Sequence, residues 1–72
     1  MNRPELLHGS RDAEACCTAA LRASDRLLRA IGDDQGVLRE LIRLLRDDAA
    51  ALERRAHAIR RRVEMAALEG GQ

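Results

Sequence analysis

The chain has 72 residues, one domain at most, and with no Phe, Tyr or Trp its core has to come from Leu, Ile, Val and Ala. Its 13 basic Lys/Arg side chains are all Arg and stand against 12 acids, so the net charge of +1 predicts neither a nucleic-acid nor a membrane partner by itself. Adjacent Cys16 and Cys17 give no extracellular disulfide framework, and no run is long enough to span a membrane. Met1-Asn2-Arg3-Pro4-Glu5 lacks the apolar stretch of a secretory signal, so the expected location is cytoplasmic.

Ala, Leu, Arg and Glu are good helix formers, and the single Pro is Pro4, so the fold class expected is all-α. Residues 1–9 read as a short N-terminal turn, with Asn2 as its cap, Pro4 in its first turn and Gly9 as its break. Ser10 is then the N-cap of a first long helix over 10–32, with Asp12 and Glu14 near its positive end. Its apolar positions are Ala13, Cys17, Ala20, Leu21, Ser24, Leu28 and Ile31, with Leu27 beside them. Gly32 ends the helix where a positive φ is wanted. Residues 33–35 form the loop, and Asp33 or Asp34 caps a second helix over 36–69, whose first turn Gly36 weakens. Residues 70–72 form a frayed tail.

The second helix carries an unbroken 4-3 spacing of aliphatic and small residues: Leu38, Ile42, Leu45, Ala49, Leu52, Ala56, Ile59, Val63 and Ala66. Such a seam is built to lie along another helix, as in a coiled coil. The short connection makes the two helices antiparallel neighbours, giving a helical hairpin. Folding at 33–35 opposes positions whose numbers sum to roughly 68, with Ala13, Ala20, Ala49 and Ala56 allowing close approach. The longer second helix then overhangs at Ile59, Val63 and Ala66, where Leu6 and Leu7 would cover it. Near the loop the apolar band widens to include Val37, Leu41 and Leu44, with Leu27 on the first helix, more than one neighbour buries. The expected interface residues are therefore Leu27, Val37, Leu41, Leu44, Ile59 and Val63, and the bundle is completed by a second copy (a homodimer) or by a partner protein's helix.

No catalytic or metal constellation is legible, and no cofactor is expected. Consecutive helical residues point about 100° apart, so Cys16 and Cys17 neither share a metal easily nor close a relaxed disulfide with each other. Cys17 reads as a small seam residue with Cys16 at its flank; an inter-chain disulfide is the remaining alternative. His8 and His57 have no nucleophile beside them. Arg54, Arg55, Arg60, Arg61 and Arg62 place five cations in nine residues with no acid between them. This makes an outer basic stripe, and Arg54, Arg55, Arg61 and Arg62 are the candidate phosphate contacts. A solvated helix exterior explains the same pattern, with Glu53 and Glu64 near Arg60.

Asp33-Asp34 at the tip resembles the acidic hairpin tips of the Gre and DksA class of RNA polymerase secondary-channel factors, but aspartate is also the ordinary N-cap residue. Leu27-Leu28, the Gly32-Asp33 break and the Leu38, Leu41, Leu45, Leu52 spacing are similar to small bacterial helical hairpins. Among these are the Rop-type dimeric four-helix bundle and the flagellar and type III export chaperones of the FlgN and FliT kind. The likeness covers residues 20–60, and no functional residue carries over from it. The function expected is a non-enzymatic protein–protein interaction module, a small chaperone, adaptor or regulator. The alternative is a nucleic-acid-binding regulator using the Arg stripe.

Overall fold

The computed structural model describes residues 2–33 and 36–70. Two helices, α1 (Arg3–Ile31) and α2 (Val37–Gly70), fold back on each other into a hairpin 56 Å long and about 15 Å across. The hairpin expected from the seam and the Gly32 break is therefore present, and no strand occurs among the described residues.

The start of α1 corrects the expected boundaries. Asn2 caps it as anticipated: its backbone is extended, and its Oδ1 accepts from the Glu5 N–H at 3.1 Å, with Pro4 in the first turn. Gly9 does not break the helix, so there is no separate turn over 1–9 and Ser10 is not an N-cap. A lone Gly costs a helix about 1 kcal/mol relative to Ala, too little to stop one that also packs on a neighbour. Here Leu6 and Leu7 line grooves shared with Val63, Ala66, Ala67 and Leu68 of α2. Ser10 is buried in the helix interior, and its hydroxyl donates to the Leu7 carbonyl at 3.1 Å. A side chain at Gly9 would meet nothing within 4 Å, and its φ is not positive. Gly9→Ala should therefore stabilise the chain by about 0.5–1 kcal/mol, read as a higher denaturant midpoint at unchanged slope.

At the turn, Gly32 adopts φ 65° and ψ −129°, backbone that side-chain-bearing residues rarely enter. The Arg39 guanidinium donates to its carbonyl, tying the end of α1 to the first turns of α2. Gly36 lies outside α2 rather than in its first turn: it immediately precedes Val37, and its carbonyl accepts from Glu40 N–H at 3.4 Å. Asp33 stands too far before Val37 to be its N-cap; Asp34 and Gln35 fall outside the described residues, as do Gly71 and Gln72 of the expected tail.

Cross-helix bonds set the register. Thr18 meets Glu53, Asp25 meets Arg46, Glu14 meets His57 and Arg60, and Arg11 meets Glu64. The paired numbers sum to between 71 and 75, about one helical turn beyond the expected 68. The reason is the turn, which reaches Gly36 and moves the fold point later. The second helix is the longer, as expected, at 34 residues against 29, but with α1 extended to Arg3 it has a neighbour beside Ile59, Val63 and Ala66, which therefore do not overhang. Ser10, Cys17, Ser24 and Ile31 come level with Val63, Ala56, Ala49 and Ile42.

That level series is the core. Ile42, Ala49, Ala56, Ser10 and Ser24 are buried, and Cys17, Ile31 and Val63 are half-buried. The small residues along the contact are thus Ala49 level with Ser24, Ala56 level with Cys17, and Ser10 level with Val63, while Ala13 and Ala20 are exposed. Ser24, 1 % exposed, satisfies its hydroxyl on the Ala20 and Leu21 carbonyls, both at 2.9 Å, and behaves as a small spacer.

Candidate functional site

The nine-residue seam of α2 separates into two lines in the structure. Ile42, Ala49, Ala56 and Val63 turn toward α1. Leu38, Leu45, Leu52 and Ile59 do not, and they remain between 51 and 58 % exposed. Helix geometry explains the division. Residues four after the buried line swing to one side of it, and residues three after it to the other. The four-after residues Arg46, Glu53 and Arg60 bond to α1. The three-after residues are the exposed Leu45, Leu52 and Ile59.

The same holds on α1. Glu14, Leu21 and Leu28 follow its buried line by four and are half-buried; Ala13, Ala20 and Leu27 follow it by three and are exposed. Antiparallel helices turn these two three-after sides the same way. The hairpin therefore has one polar face, closed by cross-helix bonds, and one apolar face, left open.

On the polar face, Glu14 is the central acceptor. His57 Nδ1 and Arg60 Nε each lie 2.5 Å from one of its two carboxylate oxygens. Arg60 Nη1 also reaches Glu64 at 2.9 Å, and Glu64 accepts from Arg11 at 3.4 Å. Thr18 donates to Glu53 at 2.8 Å, and Arg46 to Asp25 at 2.9 Å. The hydrogen bond from His57 is the largest influence on the Glu14 carboxyl; burial opposes it, and the hydrogen bond and charge of Arg60 add to it, so that the group is held below its ordinary 4.5. The Arg60 guanidinium is raised in turn, chiefly by its bond to Glu14.

A depressed folded-state value means that Glu14 stabilises the fold above about pH 4.5 and that this stabilisation fades as pH falls through the folded value. Glu40, lowered by its hydrogen bond from Arg43 at 2.6 Å, acts in the same direction and window. Glu14→Gln should lower the melting temperature at neutral pH and flatten its decline on acidification through 4.5. An unchanged acid limb would show that the bond does not contribute.

The expected interface residues are divided by the structure. Leu27, Val37, Leu41, Leu44 and Ile59 are exposed, but Val63 is half-buried in the line facing α1 and is withdrawn from the interface set. Val37 and Leu44 sit toward the outer side of α2, beyond the open face. Leu38, Leu45 and Leu52 belong to that face, although the sequence had assigned them to the hairpin seam. At its far end a groove of about 330 Å³ is lined by Leu6 of α1 and by Val63, Ala66 and Ala67 of α2, with Arg3 and Arg62 at its rim.

The Arg run is not uniform either. Arg60 is half-buried and bound by two carboxylates, so it leaves the basic stripe. Glu64 neutralises it as anticipated, whereas Glu53 accepts from Thr18 instead. Arg54, Arg55, Arg61 and Arg62 are exposed, and among the described residues none has an ion-pair partner. They lie on two adjacent lines of α2, Arg54 and Arg61 opposite the hairpin interface, Arg55 and Arg62 at the border of the apolar face.

Cys16 is exposed and Cys17 half-buried, both as free thiols, which matches their placement at the flank and in the seam. His8 is exposed. Among the described residues, no group of three or more His, Cys, Asp or Glu is placed to hold a metal ion, and no helix is long and apolar enough to cross a membrane. No protein-family model, curated protein or solved structure matches the chain.

Proposed function

We propose that the protein is a non-enzymatic protein–protein interaction module that works by laying its open apolar face against a helical partner, in the manner of a small chaperone, adaptor or regulator. The observation that carries this reading is the one-sidedness of the hairpin. Leu38, Leu45, Leu52 and Ile59 form a half-exposed line running most of the length of α2, and Leu27 and Leu6 continue the face on α1. Contiguous apolar surface of this extent marks a docking site, since leaving it in water forfeits the main driving force of association. The opposite face already has its polar groups paired and offers no comparable apolar line.

The test compares the wild type with Leu45→Glu/Leu52→Glu, as bait in a nuclease-treated native lysate and alone in sedimentation. The wild type should hold a protein on this face, its own copy or another chain, and the variant should hold none while staying helical. Equal retention by both would sink the reading.

The unpaired guanidiniums of Arg54, Arg55, Arg61 and Arg62 favour a second reading, in which α2 tracks a phosphate backbone. Four phosphate contacts would give a log–log salt slope of roughly −0.9 each on duplex DNA. Without aromatic side chains there is no platform for stacking bases. Replacing Arg54, Arg61 and Arg62 with Gln is expected to leave the fold and protein docking unchanged and to reveal no lost DNA affinity. Tight, salt-sensitive wild-type binding to DNA or RNA that disappears in the triple variant would reverse the order of the two readings.

A further inference from the structure

The charges bordering the apolar face specify what lies on it. We infer that the occupant is a second copy of this chain, laid face to face and antiparallel across a two-fold axis near Leu52, with Asp48 of each protomer opposite Arg55 of the other. This inference rests on the docking reading above and commits it to one partner and one register.

Three observations carry it. The first is area. The hairpin is 56 Å long and about 15 Å across, so one whole side covers roughly 800 Å², the usual share of one partner in a stable interface.

The second is charge. Beside the exposed Leu line of α2 runs a flanking line of Leu41, Asp48, Arg55 and Arg62, all exposed. Neither Asp48 nor Arg55 has an ion-pair partner among the described residues. Antiparallel pairing of this line with its own copy about a point between Asp48 and Arg55 sets Asp48 against Arg55 twice, by symmetry. Parallel pairing would set Asp48 on Asp48 and Arg55 on Arg55. Pairing α2 with α1 of the second copy would set both charges against Ala23 and Cys16, which answer neither. Only the antiparallel α2–α2 arrangement is complementary, and juxtaposed like charges are what select against the others.

The third is continuity of the apolar lines. The same register brings Leu52 beside Leu52, Leu45 beside Ile59 and Leu38 beside Ala66, filling the centre of a four-helix bundle with the residues the single hairpin leaves exposed. Around the level of Leu52 the facing side of α1 consists of Cys16, Ala20 and Ala23. These small uncharged residues let the two α1 helices approach without burying a charge. In this register the two Cys16 residues lie on either side of the axis, about three helical turns apart, so no Cys16–Cys16 bridge is expected.

The experiment is sedimentation equilibrium of the full chain across a concentration series, for the wild type, D48R, R55D and the double variant D48R/R55D. The wild type should be a dimer. Each single reversal places like charges opposite each other twice, and should weaken dimerisation about tenfold or more, with partial recovery at high salt. The double reversal restores complementarity and should return to within a few-fold of the wild type. All four should have the same helicity, because both side chains are exposed in the hairpin.

A wild type that stays monomeric throughout, or a double variant no better than the singles, overturns this inference. Either result leaves the docking reading to stand or fall on whether Leu45→Glu/Leu52→Glu abolishes capture of another protein.

Discussion

Ala49→Leu is expected to be the most destabilising conservative substitution in the chain. Ala49 is 4 % exposed and comes level with Ser24, the most buried residue of α1 at 1 %. Helices that meet through an Ala and a Ser have no room for a branched four-carbon side chain. Inserting one forces either the two backbones apart along the whole seam or neighbouring side chains out of their rotamers, at a cost of about 1–3 kcal/mol. For a chain of this size each kcal/mol moves the melting temperature by about 4–8 °C. The thermal midpoint should therefore fall by roughly 4–24 °C on these two scales.

Two controls isolate the mechanism. Ala58→Leu, on the exposed outer side of α2, should leave stability within about 0.5 kcal/mol. Ser24→Ala should be nearly neutral, because the hydroxyl bonds only to carbonyls of its own helix. An Ala49→Leu melting curve that overlays the wild type would mean that the helices are not in close contact there.

The second large effect is on association rather than folding. Leu45 and Leu52 are 51 % and 52 % exposed, so about half of each side chain remains to be covered by a partner. At about 25 cal/mol per Å² that half is worth on the order of 1 kcal/mol per Leu, and a carboxylate in its place must in addition be desolvated. Leu45→Glu/Leu52→Glu should therefore reduce affinity for any occupant of the face by two orders of magnitude or more. The hairpin itself should survive, since neither residue lies in the buried line. Binding of an apolar fluorescent dye at low protein concentration should fall in parallel. A variant that loses helicity together with binding would show instead that the hairpin depends on its partner to fold.

Much of the hairpin was legible in the chain itself. Asn2, Pro4 and Gly32 mark ends of helices through chemistry that acts within one turn: a side-chain cap, a preset φ and a residue free to take φ 65°. The seven-residue recurrence of Ile42, Ala49, Ala56 and Val63 likewise states which line of α2 must be covered, because small and aliphatic residues at that spacing share one stripe. Gly9 misled for the same local reason. Its weakness as a helix former is visible in sequence, whereas the packing of Leu6 beside Val63 and Ala66, and of Leu7 beside Ala67 and Leu68, is not.

What only the tertiary structure decided is the side of the stripe on which α1 lies. By polarity alone Arg46, Glu53 and Arg60 belong to the solvent, and Leu38, Leu45, Leu52 and Ile59 to the hairpin core. The structure reverses that assignment. Asp25, Thr18 and Glu14 on α1 reach those three polar residues, and so hold α1 on the polar side of the buried line. These partners lie 21 to 46 positions apart in the chain, and they meet only after the turn has set the register. Periodicity reports which residues share a face of their own helix. Which face a second helix takes depends on pairwise distances across the fold, and that choice left the Leu line in water as the candidate site.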